Sequence, residues 1–112
     1  MRGDRDRLLD MIEMCEFLTQ YASNRSQLES DPVVHAATQR WIEVLGEAAS
    51  HVSTELRQRH PEVPWREIIG TRVILAHAYF HIDRNVIGDV VDRHIPDLSR
   101  RLRTIYNSLT EE

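Results

Sequence analysis

Apolar residues recur at helical spacing through most of the chain. From about Asp4 to Tyr21, Leu8, Ile12, Cys15 and Leu18 or Thr19 fall three or four apart, and Leu9, Met11, Met14, Phe17 and Tyr21 widen the stripe. A helix apolar over that much of its circumference is expected to meet two partners. The polar connection SNRSQLESDP follows, with Asp31 placed to cap a helix and Pro32 at its first position, where a missing N–H is harmless. Val34, Ala37, Trp41, Leu45, Ala48, Val52 and Leu56 then form a seam that predicts one helix to about Gln58, stopped by Pro61. Its length would be roughly 38 Å from the rise per residue. That overhang suggests an intersubunit surface, with a long bundle helix as the alternative.

In HPEVPWREIIG, Trp65 and Ile68 anchor a short helical turn, and Gly70 suits a left-handed cap. A third helix opens at Gly70 or Thr71. Asp83 can cap a fourth, carrying Val86, Ile87, Val90 and Val91, until Pro96 breaks or kinks it. Leu98, Leu102, Ile105 and Leu109 mark the last. With only four glycines, four prolines and no convincing strand, the expected fold is all-α, a single domain over residues 1–112 built as a bundle of four to five helices.

Composition narrows the function classes. Hydrophobic residues at 41% and charged residues at 29% are those of a folded protein. The net charge of −4 does not favour general nucleic-acid binding, so any such contact needs a local patch. All 14 basic residues are arginine, whose planar guanidinium binds phosphate in bidentate fashion. Cys15 is the single cysteine, which excludes an internal disulfide; beside Met14 and Phe17 it reads as a buried thiol. No apolar run has the length of a signal or membrane span, and a cytoplasmic location is expected.

The stretch RVILAHAYFHID concentrates the candidate chemistry. Arg72 and His77 are five residues apart, about 140° around an ideal helix and about 7.5 Å along it. An imidazole near its free pKa moves protons at neutral pH, and a guanidinium stabilises charge on phosphate oxygens. Together they suit metal-independent RNA cleavage, although a solitary Arg–His pair is more often structural. A second subunit bringing a second pair across a two-fold axis eases the geometry.

Other residues carry bland and sharp readings side by side. His77 and His81 share a face and could hold a metal, but only Asp83 is a companion, and no metal or cofactor is expected. His35, His51, His60 and His94 read as surface residues. Trp41 and Trp65 read as core or interface anchors, and Tyr21 and Tyr106 as packing. Glu43 and Glu47, with Arg40 a turn earlier, form either a solvated face or a support for Arg72; His81 is a further possible support. Arg100, Arg101 and Arg103 either solubilise the last helix or touch RNA phosphates.

The pattern Arg72, four residues, His77, one residue, Tyr79 resembles the signature of HepT-type toxins of the HEPN superfamily. So do RDRLLDMIE, the segment from SDPVVHAATQRWIEVLGEAA to HPEVPWREIIGTR, and DRNVIGDVVDRHIPDLSRRL, together covering nearly the whole chain. The resemblance implies an all-α homodimeric ribonuclease of a type VII-like toxin–antitoxin pair, with Arg72 and His77 as catalytic residues in a cleft between subunits. It also implies a partner, a minimal nucleotidyltransferase antitoxin of the MntA type, which transfers AMP to Tyr79 and silences the nuclease. Val73 stands where family members usually carry a polar residue, Ala78 where they often have glycine, and Ile87–Gly88 where tryptophan is common. An alternative reading is therefore a non-catalytic helical binding subunit of a nucleotidyltransferase complex. A nucleotide- or RNA-binding dimer with no partner is the simpler third.

Overall fold

Helix α1 runs from Asp4 to Tyr21, as its periodicity requires, with Asp4 and Asp6 in the first turn complementing the helix dipole. The computed structural model describes residues 3–77 and 90–110, and for 72–77 and residue 110 only the backbone. Leu8, Met11, Ile12, Cys15 and Leu18 are buried along one side of α1. The helix packs against both α3 (Pro32–Ser50) and α6 (Ile95–Thr110), the two partners its wide stripe demands.

The expected polar connection contains a short helix, α2 (Arg25–Ser30). Asn24 caps it by accepting from the Gln27 N–H, and Leu28, its only aliphatic side chain, is fully buried. Asp31 then caps α3 by accepting from the Val33 N–H at 2.9 Å, with Pro32 in the first turn. The deepest stripe of α3 is Thr38, Ile42, Leu45 and Ala49, rotated from the expected seam, so that Val34 and Trp41 lie on its half-buried flank. Thr38 is tolerated there because its hydroxyl donates to the Val34 carbonyl at 2.7 Å.

The expectation of one helix to Gln58 is corrected. Helix α3 stops at Ser50, and α4 (Thr54–Arg59) restarts after a three-residue break. The cause lies in the HVS sequence. His51 and Val52 close the helix with short-range bonds to the Ala48 and Ala49 carbonyls, and Ser53 caps α4 by accepting from Leu56 N–H. Asp4 locks the break: its carboxylate accepts from the Ser53 N–H at 2.7 Å and from the Ser53 hydroxyl at 2.6 Å. Val52 and Leu56 are buried within the chain's own core, so α3 is about 28 Å long and its length supplies no overhang for a second subunit.

The PEVP segment turns back over buried Val63, and Trp65 is fixed by an indole N–H bond to the His60 carbonyl at 2.9 Å. Helix α5 then runs unbroken from Trp65 to His77 and packs against α3. Gly70 is therefore interior, not a left-handed cap between two helices. Packing overrides its poor helix propensity of about 1 kcal/mol. A π-helical turn, Val90–His94, precedes α6. Pro96, second residue of α6, offers no N–H to a carbonyl one turn back, which accounts for the widened turn before it. Leu98, Leu102 and Ile105 bury the inner face of α6, with Leu109 partly buried beyond. Ion pairs Glu16–Arg103 (2.7 Å) and Arg25–Asp92 (2.9 Å) join the two ends of the chain.

No strand occurs among the described residues, and the fold is an all-α bundle, as expected. Among the same residues, no helix is long and apolar enough to cross a membrane. The proposed cap Asp83 and most of the fourth helix, including Val86, Ile87 and Gly88, lie outside the described residues.

Candidate functional site

Arg72 and His77 both lie on α5, and the continuity of that helix through Gly70 fixes their register. Arg72 follows buried Trp65 by seven residues and half-buried Ile68 by four, so its position shares their side of the helix. His77 stands about 140° further round and about 7.5 Å further along. The structure thus places the two positions on one rigid element. Tyr79 and His81 lie outside the described residues.

The supporting carboxylates are on α3, the helix against which α5 packs. Glu43 accepts from Arg40 at 2.9 Å, and Glu47 pairs with His51 at 3.0 Å. Of the four histidines read as surface residues, His51 and His94 are exposed, while His35 and His60 are half-buried. Trp65 is a core anchor. Trp41 is half-buried against the core and joins an aromatic cluster, with its ring 5.6 Å from Phe17 and 5.7 Å from Tyr21. Tyr106 packs on the core beneath the Arg5 guanidinium.

A cavity of about 380 Å³ opens where α3, α5 and the start of α6 meet, floored by Ile42, Leu45, Ile68 and Leu98. Its polar rim includes Thr71, Arg93 and Arg101. On α5 it is lined by Glu67, Ile68 and Thr71, and the Arg72 position lies about 100° round from Thr71. This cavity therefore adjoins the Arg–His helix without being centred on the pair. At the rim, Asp97 takes hydrogen bonds from Arg101 (2.8 Å) and Arg100 (2.7 Å). The Arg101 bond holds its carboxyl below the usual carboxylate range, with Arg100 adding to the effect. Arg103 binds Glu16, so all three arginines of α6 are engaged in ion pairs.

A second crevice separates α4 from α5 and is lined by Thr54, Arg57, Gln58, Trp65, Arg66 and Ile69. The sequence pattern singled out neither arginine, because a helix through Gln58 gave no reason for α4 to fold back onto α5.

Three comparisons bear on this arrangement. The family pattern described as ribonuclease HepT-like matches residues 9–105. A protein of Caldanaerobacter subterraneus subsp. tengcongensis, named as a candidate RNase, is 34% identical over 107 residues, covering 94% of this chain and 96% of its own. A protein of Thermococcus cleftensis named as a candidate ribonuclease HepT is 30% identical over 106 residues, covering 93% and 96%. Another candidate RNase, from Methanocaldococcus jannaschii, is 27% identical over 100 residues, covering 88% and 92%. There is no significant match among solved structures. With the pattern spanning nearly all of an all-α bundle, the chain belongs to the HepT-like ribonuclease family.

Proposed function

We propose that the protein is a metal-independent ribonuclease, the toxin of a toxin–antitoxin pair. The observation that carries the reading is the unbroken α5, which holds Arg72 and His77 in fixed register in a chain of this family. In the proposed reaction a ribose 2′-oxygen bonds to the adjacent phosphorus and the P–O5′ bond breaks. His77 takes the proton from the 2′-hydroxyl or returns one to the leaving oxygen, and Arg72 stabilises the charge on the phosphate oxygens. A homodimer brings two such pairs to one cleft, with Glu43, Glu47 and His81 as supporting residues. A minimal nucleotidyltransferase antitoxin silences the enzyme by transferring AMP to Tyr79, adding negative charge and bulk beside the pair.

Val73, following the catalytic arginine, favours the second reading, a non-catalytic helical subunit of a nucleotidyltransferase complex. Activity on RNA separates the two. Expression of wild type and His77→Ala in a host cell, with growth and RNA integrity followed together, tests the proposal. Growth arrest with RNA loss in wild type alone supports it, and intact RNA with both overturns it.

A further inference from the structure

The crevice between α4 and α5 is a basic surface on the helix that carries Arg72. Thr54, Arg57 and Gln58 face Trp65, Arg66 and Ile69 across about 440 Å³, with no carboxylate in the lining. Among the described residues, five other arginines are ion-paired: Arg25 with Asp92, Arg40 with Glu43, Arg100 and Arg101 with Asp97, Arg103 with Glu16. Among those residues neither Arg57 nor Arg66 has an ion-pair partner. Arg57 makes one long contact, 3.4 Å to the Thr54 hydroxyl, and its buried Nε donates to no described atom. A guanidinium held by packing, with donors to spare, fits the bidentate geometry of a phosphate. Trp65, fixed through His60, makes the wall between the two arginines rigid.

We propose that this crevice holds a backbone phosphate of the RNA strand, with Arg57 and Arg66 as its ligands. The proposal rests on the ribonuclease reading above and adds a path for the substrate. Arg66 precedes Arg72 by about 9 Å along α5 and a third of a turn around it, so a strand crossing the helix obliquely meets both. The crevice is open rather than enclosed, which suits a polymer passing through. A chain of net charge −4 needs such a local patch to hold RNA.

The test uses the full chain carrying His77→Ala, which binds RNA without cutting it, and a labelled single-stranded RNA oligonucleotide read by fluorescence anisotropy. Adding Arg57→Gln and Arg66→Gln is expected to weaken binding about fivefold at physiological salt and to lower the log affinity–log salt slope by about 0.7, the contribution of one phosphate. Arg66→Gln alone, at an exposed position, gives part of the effect without risk to the fold. Arg59→Gln, exposed outside the crevice, is expected to change both quantities less. Unchanged affinity and slope, or an equal loss from Arg59→Gln, overturns the proposal. So does arginine-dependent binding of inorganic phosphate without binding of the oligonucleotide. In a cleavage assay, wild-type activity with an unaltered KM in the double variant removes the crevice and leaves the nuclease standing. Arginine-dependent RNA binding by a wild type that cuts nothing does the reverse.

Discussion

Cys15 is fully buried between the aliphatic side chains of α1 and α6, and that burial pushes its thiol from 9.0 to about 12, with Arg103 acting weakly against the shift. The folded state therefore keeps a proton that the unfolded chain begins to lose at 9.0. The associated stability is present below that pH and is lost as pH rises from 9.0 toward 12. At pH 10 the loss is on the order of 1 kcal/mol, one pKa unit. Urea titrations at pH 7 and pH 10 should show this drop in wild type, and Cys15→Ala should lose less on the same change despite its cavity. An identical pH response in both would contradict the assignment. The burial was legible in the sequence, but for a different reason than its neighbours suggested. Phe17 is 37% exposed and stacks outward on Tyr21 and Trp41. Cys15 is buried because it shares a stripe with Leu8, Met11 and Leu18.

The helix start at Asp31–Pro32 was readable because its capping chemistry is local, whereas the side-chain caps Asn24 of α2 and Ser53 of α4 were not recognised. Nor were the helix breaks. The stop at Ser50 needs Ser53 to choose capping over continuation, and Asp4, 49 residues away, stabilises that choice. Replacing Ser53 with Ala should cost about 1–2 kcal/mol, the usual worth of an N-cap. Asp4→Ala should cost a comparable amount, and the double variant less than the sum, since the two groups share one network. Thermal melts of the three variants measure this, and strict additivity would show that the clamp is idle. Gly70 errs in the opposite direction: its residue type implied a boundary that packing removed. A Cβ at Gly70 meets no described atom beyond its own helix within 4 Å, and the backbone is not left-handed. Gly70→Ala should therefore stabilise the fold by about 0.5–1 kcal/mol. A destabilised variant would mean that the close approach of another segment, not helix propensity, governs the position.

At the scale of the molecule, the Arg–His–Tyr spacing was legible because it falls within one run of sequence. The α4–α5 crevice was not, because it depends on the break at 51–53 that separates α4 from α3. Dimer formation is expected only from the proposed two-fold sharing of an Arg72–His77 cleft, no longer from the length of α3. Sedimentation equilibrium at micromolar concentration should give twice the 13.1 kDa chain mass, and a clean monomer would remove the basis for a shared cleft. RNA cleavage should persist in EDTA and vanish in Arg72→Ala; loss in EDTA would revive a His77–His81 metal site. The position of α1 has a further consequence for how the protein is made. Helix α1, made before α6, closes its core against it through Leu8, Met11, Cys15 and Leu18 on one side and Leu98, Leu102 and Ile105 on the other. Until Ile95–Thr110 has emerged, the side of α1 that packs on α6 has no cover. Synthesis from the N-terminus therefore yields no finished substructure along the way. The fold, and whatever activity it carries, arrives only once α6 is made, so a chain terminated before Ile95 is expected to be inert.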